Sequence, residues 1–421
     1  MDFRRDFHEK GSFAAAMLRK RPFESQRLSM TSSLLASLRP EATDAPASGI
    51  VELSKYARAA GDVIQLWVGE GDMPTPAFIS EAATRSLAAG ETTYTWQRGI
   101  PELRQAIATY ASNLYGRPLS PERFFVCGSG MQAIQIAMTM VAGPGDEVII
   151  PSPTWPNAPA AAGLRGATPV LVELTHGNRG WQIDLERIAA AITPRTKALF
   201  VNTPSNPTGW TATRQELVDI LALARKHGLW IIADEIYTRF VWTGEARRAP
   251  SFHDVREDGD RILWVNTFSK NWAMTGWRMG WVEADPALGD VIENLIQYST
   301  SGSPIFIQRA GIAALERGES LVEHQIAKAR KARDIVSAAV ERTGRCHFSR
   351  PDGAFYLFFG IEGVTDSMAA AMRLVDLAKV GLAPGSAFGA GGEGHLRLCY
   401  LRSPEQIEIA AGRLADAIRQ L

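Results

Sequence analysis

The chain has little to cross-link with. Its 421 residues include three cysteines, Cys127, Cys346 and Cys399, an odd number with no C-x-x-C pair. That count and spacing argue against a disulfide framework and against a thiolate zinc site, and no metal site is expected; a reducing compartment fits. Cys127 and Cys399 stand in apolar, strand-like runs and read as small core hydrophobes. An excess of either charge is also missing, since 45 Lys+Arg balance 45 Asp+Glu. Without a basic field there is no electrostatic footprint for nucleic acid. No uninterrupted apolar run approaches the ~18–20 residues that cross a bilayer. Arg4 and Arg5 lead into no apolar h-region, and Asp2, Asp6 and Glu9 oppose a transit peptide. The reading is a cytoplasmic protein with neither nucleic acid nor membrane among its partners.

What the chain does have is a repeated short apolar run followed by a helical pattern. Strands are expected at Arg123–Cys127, Glu147–Ile150, Thr168–Glu173, Lys197–Val201, Trp230–Ala233 and Ile262–Val265, with helices between them such as Met131–Val141 and Arg214–His227. That alternation predicts an α/β fold whose mostly parallel sheet is covered by helices on both faces. After a long helix over Glu319–Thr343 the pattern changes to a smaller α+β unit. The expected organisation is an N-terminal arm over 1–29, a small domain built from 30–78 and 320–421, and a large domain over 79–319. The stretch from Pro40 to Gly49 reads as a loop.

In open parallel sheets ligands sit beyond the carboxyl ends of the strands. Gly128-Ser129-Gly130, Trp155, Asn206, Asp234, Tyr237 and Lys270 all follow strands. Gly128–Gly130 joins a strand to a helix, where free N–H groups bind phosphate. Trp155 sits on a proline-framed loop, Pro151-Ser-Pro-Thr-Trp-Pro-Asn157, able to hold a ring against a planar heterocycle or simply to plug the core. In Thr267-Phe-Ser-Lys-Asn-Trp-Ala-Met-Thr-Gly-Trp-Arg-Met-Gly280, a lysine lies in apolar company with an arginine shortly after it and two hydroxyls beside it. Desolvation lowers the pKa of such a lysine and makes its amine a nucleophile toward carbonyls. An arginine with hydroxyls suits a phosphate.

Taken together and in order, these motifs resemble the class I/II pyridoxal-phosphate aminotransferases of fold type I, over roughly residues 31–421. The resemblance implies pyridoxal 5′-phosphate as cofactor, bound through a Schiff base to Lys270, which then moves a proton at the substrate Cα. It implies that Asp234 pairs with the pyridine nitrogen, that Asn206 and Tyr237 bond the phenolic oxygen, and that Trp155 stacks on the ring. Arg278, Thr267, Ser269, Ser129 and Gly130 would form the phosphate cup. Arg397, in His395-Leu-Arg-Leu, would take the substrate carboxylate with help from Gly69, Asn206 and Trp155. Tyr94 would cross from a partner subunit to the phosphate, making a homodimer with shared active sites, and the Asn206–Pro207 bond would be cis. The substrates would be an amino acid and a 2-oxo acid. Arg98 is the candidate for a second, distal carboxylate, and Trp96, Trp272 and Trp277 for an aromatic surround. Gly71 departs from the proline common at that point in the family. A C–S β-lyase and a non-catalytic cofactor-binding regulator share the scaffold and stay open as alternatives.

Overall fold

A computed structural model describes residues 33–177, 180–244 and 246–421. The expected arm over 1–29 lies outside them. Two units are distinguished, the described residues of the first being 33–44 and the second running over 45–421. In the first, Ser33–Ala36 and Pro40–Thr43 each form one helical turn. The second turn falls where a loop is expected from composition; proline fits the first helical position, where its missing N–H costs nothing.

The second unit carries a seven-stranded sheet in the order 124–127, 280–283, 262–267, 230–234, 196–202, 147–152, 168–173. Every pairing is parallel except those of Gly280–Glu283, which runs against both its neighbours. Alternate residues supply two cores. Val148, Ile150, Phe200, Ile232 and Val265 pack under helices Gly130–Val141 and Gly289–Thr300. Ile149, Leu199, Val201 and Ile231 face helix Arg214–His227 on the other side. With both faces buried the strands read as continuous apolar runs. Helix Arg214–His227 has the bounds its sequence predicts because both ends are marked: Thr213 and Glu216 form a capping box and Gly228 adopts a left-handed C-cap.

A second sheet, antiparallel and four-stranded, runs 346–348, 356–361, 395–399, 383–384. Both of its faces are buried, Tyr356 and Phe358 on one and Leu357, Phe359, Leu396 and Leu398 on the other, and all join the core on the Arg214–His227 side of the large sheet. Ile64–Gln65 pairs in parallel with Val380–Gly381 and so ties the segment before residue 69 to this second sheet's side of the molecule. Among the described residues, no helix is long and apolar enough to cross a membrane.

Candidate active site

The strand Ile262–Thr267 leaves the sheet into the loop that bears Lys270, and Gly280–Glu283 returns antiparallel with Gly280 opposite Thr267. Both ends of the loop therefore stand at one sheet edge, the carboxyl edge of the parallel strands, and Arg278 meets the same cavity as Lys270. A Cβ on Gly280 would lie 2.6 Å from the Asn266 carbonyl and 2.7 Å from the Gly130 amide nitrogen. Only glycine lets this strand approach the Ser129–Gly130 turn so closely. Ser129 (φ 147°) and Arg278 (φ 53°) both hold positive φ, a strain that collects at functional sites.

The cavity at this edge has a volume of about 570 Å³ and brings together Lys270, Asp234, Asn206, Tyr237, Trp155, Thr267, Ser269, Arg278, Gly130, Gly69 and Arg397. Asp234 is the last residue of Trp230–Asp234 and is 2% exposed; its Oδ1 has no hydrogen-bond partner. Burial pushes its carboxyl up to about 7, against the pull of the Ile236 backbone N–H and of Lys270. Burial moves Lys270 the other way, down to about 8, and its Nζ donates to the Gly69 carbonyl at 2.7 Å. Each group carries in place the cost of an unpaired buried charge.

Arg397 is 2% exposed. Its Nη1 donates to Asn206 Oδ1 at 3.1 Å and its Nη2 to the Trp67 carbonyl, while Nε has no partner. The guanidinium lies over the rings of Tyr356 and Phe388, at 4.8 and 5.0 Å from their centroids. No carboxylate among the described residues pairs with it, so it is not an interface ion pair. Asn202 supports the same side: its amide donates to the Asp234 carbonyl at 3.0 Å and its Oδ1 accepts from the Asn206 N–H at 2.8 Å. The Asn206–Pro207 bond is cis.

Residues 69–76 begin at the cavity, which Gly69 and Glu70 line, and are tied down along their length. Thr275 Oγ1 donates to Glu70 at 2.8 Å, Thr75 Oγ1 to the Ala273 carbonyl at 2.6 Å, and Trp277 Nε1 to Thr75 Oγ1 at 2.9 Å. Asp72 pairs with Lys328 and accepts the Ser403 N–H at 2.6 Å.

Several sequence expectations are corrected here. The Ser129 hydroxyl caps the following helix by accepting the Gln132 N–H at 3.1 Å, in the same turn whose Gly130 lines the cavity. Arg98 is bound to Glu293 and Asp290, each at 2.6 Å, outside the cavity. Trp272 is buried in the core with Phe268, Trp277 is held by Thr75, and Trp96 is exposed, so none of the three surrounds the site. Tyr94, expected to reach a partner's site and not its own, needs no correction: it is 90% exposed and outside this chain's own cavity. Sequence reasoning missed Tyr356, which lines the cavity with its hydroxyl 2.8 Å from that of Tyr237. It also missed Asn202 and the part in the site of a helix expected over Val51–Arg58 and found over Gly49–Ala60, whose Ile50, Val51 and Ser54 form one wall. Asn202 carries a signal, as a polar residue ending an apolar strand; Tyr356, inside an apolar run, carries none.

A parallel sheet with a lysine, a carboxylate and two arginines at its carboxyl edge defines an enzyme site for amines and anions. The family model for aminotransferase classes I and II matches residues 61–414, and the chain belongs to that family. The aspartate aminotransferase of Thermotoga maritima is 36% identical over 378 residues, 89% of this chain and 97% of its own length. The arginine–pyruvate transaminase of Pseudomonas aeruginosa is 35% identical over 86% of this chain and 91% of its own. The crystal structure of aspartate aminotransferase from T. maritima superposes with a TM-score of 0.84 at 34% identity, covering 90% of this chain and 99% of that one. The fold is thus that of fold type I, and the chain is an enzyme that transfers amino groups; the regulator reading falls away.

Proposed function

We propose that the chain carries pyridoxal 5′-phosphate at Lys270 and moves an amino group between an amino acid and a 2-oxo acid. One observation carries the reading: the cavity that holds an amine with its pKa brought down to about 8 also holds a buried carboxylate oxygen without a partner. The residues fit the cofactor. Asp234 Oδ1 is an acceptor in need of a cationic N–H, which a protonated pyridine nitrogen supplies. Arg278, Thr267, Ser269 and the helix N-terminus at Gly130 are the donor set a phosphate requires. Asn206 and Tyr237 are the polar groups left for the phenolic oxygen, and Trp155 is the ring for its face. Bound there, the cofactor supplies an electron sink for the pair left on the substrate Cα.

The protein's part is then positional and protonic. Asp234 as carboxylate keeps a proton on the ring nitrogen, and that pairing draws its own pKa back down. Arg397 meets the substrate carboxylate with its unpartnered Nε and the Nη groups beside it. Lys270 would make the covalent tie and, once the substrate amine displaces it, its neutral amine would be the base that takes the Cα proton and holds it for return. The apolar walls exclude water from that transfer.

We extend the reading to a homodimer, which the exposed Tyr94, Trp96 and Tyr298 support as unpartnered aromatics at 90, 66 and 88% exposure. Cytoplasmic residence rests on three free cysteines, and the division into 30–78 with 320–421 against 79–319 rests on the two sheets. The test is the holoenzyme mixed with single amino acids and no oxo acid. Conversion of the cofactor to its amine form is expected; pyruvate and thiol released from a cysteine conjugate, without that conversion, would indicate the lyase instead.

A further inference from the structure

We infer that the amino acid taken by this site has an uncharged, largely apolar side chain rather than a second carboxylate. The inference rests on the reading above, with Arg397 on the α-carboxylate and the cofactor between Lys270 and Asp234. The charged residues lining the cavity are Glu70, Asp234, Lys270, Arg278 and Arg397. Both arginines are committed, Arg278 to the phosphate side and Arg397 to the α-carboxylate. Glu70 accepts from Thr275 at 2.8 Å and repels an anion. Lys270 must stay free to exchange its covalent partner.

What is left for the side chain is a wall of Ile50, Val51, Val68 and Met131, with the hydroxyls of Ser48 and Ser54 and the amide of Asn157. Val51 is 51% exposed, an apolar side chain standing open at the cavity rim. The arginine that sequence offered for a distal carboxylate, Arg98, is bound by Glu293 and Asp290 elsewhere. A distal carboxylate entering here loses water and meets no uncommitted cation among the described residues that line the cavity within one subunit, which is costly. An aliphatic or aromatic side chain gains by covering apolar surface on both partners, and such a pocket discriminates by about 10- to 200-fold per methylene. Membership of a family that includes aspartate aminotransferases therefore does not bring the dicarboxylate preference with it.

The test uses the full chain loaded with pyridoxal phosphate. Calorimetric titration with 4-methylpentanoate and succinate, which have carboxylates but no amine to react, isolates recognition from chemistry. We expect 4-methylpentanoate to bind at least about tenfold tighter; succinate binding as tightly or tighter overturns the inference. In parallel, the cofactor's absorbance change is followed with leucine, methionine, phenylalanine, arginine, aspartate and glutamate. Uncharged amino acids converting the enzyme at least about tenfold faster than aspartate or glutamate support it. Faster conversion by a dicarboxylate, or by arginine through Glu70, sinks the assignment and leaves amino transfer standing. No conversion by any of them sinks amino transfer itself and this assignment with it. Val51→Lys puts an ammonium on the wall at a half-exposed position, and the preference for 4-methylpentanoate over succinate should fall at least about fivefold; an unchanged ratio overturns the role given to that wall.

Discussion

The hydroxyls of Tyr237 and Tyr356 lie 2.8 Å apart, buried, with Tyr356 also beneath the Arg397 guanidinium. One phenol therefore touches both the group assigned to the cofactor's phenolic oxygen and the group assigned to the substrate carboxylate. A Cβ at Gly69 would collide with the same hydroxyl, which explains the glycine at this point of the cavity wall.

Tyr356→Phe keeps the ring under Arg397 and removes only the partner of Tyr237. Tyr237 then donates less well to a phenolate, so the pH midpoint of the holoenzyme's visible band should rise, by up to about one unit, the worth of one hydrogen bond. A spectrophotometric pH titration reads this, and an unmoved midpoint removes Tyr356 from the chemistry.

Lys270→Ala should retain cofactor through the other contacts but yield no adduct after borohydride reduction, as seen by intact-protein mass spectrometry. The rate of amino transfer should fall by about 10²-fold or more. A reducible adduct surviving in this variant would assign the covalent tie to another residue.

Asp234 gives a pH signature in the cofactor-free protein. Its folded pKa, about 7, is raised above the ordinary 3.8 by burial. The stability associated with its neutral form is complete below the unfolded pKa and is lost as pH rises through 7. The loss is at most about 4 kcal/mol, from roughly three units at 1.36 kcal/mol each. Asp234→Asn should therefore melt higher than the parent without cofactor, by a margin that grows from pH 5 to pH 8. With cofactor bound the order should reverse, because the variant lacks the charge for the ring nitrogen. A margin independent of pH would contradict the buried, unpaired carboxylate.

Arg397→Ala separates substrate from cofactor. Losing one member of a buried charged pair costs about 2–5 kcal/mol, so kcat/KM for the amino acid should drop by roughly 30-fold or more. Cofactor content by absorbance should stay near that of the parent. Equal loss of both would mean that Arg397 serves the fold, through Asn206 and Trp67, rather than the substrate.

Tyr94 is tested by mixing. If it completes the partner's site, a hybrid of Lys270→Ala and Tyr94→Phe subunits holds one site with both residues intact. Activity should recover above the level of either variant alone, toward half that of the parent dimer per intact site. Additive activity without recovery would place Tyr94 outside the reaction.

How much of this was legible beforehand depended on where each residue sits. Asp234, Asn206, Thr267 and Lys270 follow apolar strands, and a polar residue at such a boundary is visible in any reading of the sequence. Arg397 was legible through family resemblance, since it lies within a strand. Tyr356 was hidden because its run, Phe355-Tyr-Leu-Phe-Phe359, reads as ordinary core, and its hydroxyl matters only through a partner far along the chain. The antiparallel strand Gly280–Glu283 was hidden too, being short, buried at every position and directly after an arginine loop. The tryptophans misled because aromatic residues near a site in sequence turn inward as readily as toward it: Trp272 packs on Phe268 and Tyr110. Arg98 misled because its carboxylate partners come from a helix almost two hundred residues later.

The pairing of Thr267 with Gly280 has a further meaning. Everything between them is an excursion whose start and finish are pinned by neighbouring strands, so its length is a ruler graduated by the sheet. Lys270 is marked off from one end and Arg278 from the other. An inserted or deleted residue inside the excursion would slide one mark past the other while leaving both strands in place. The gap between the amine and the guanidinium is thus an architectural constant, and variation in what the site accepts has to be written elsewhere, along the wall of Ile50, Val51 and Met131.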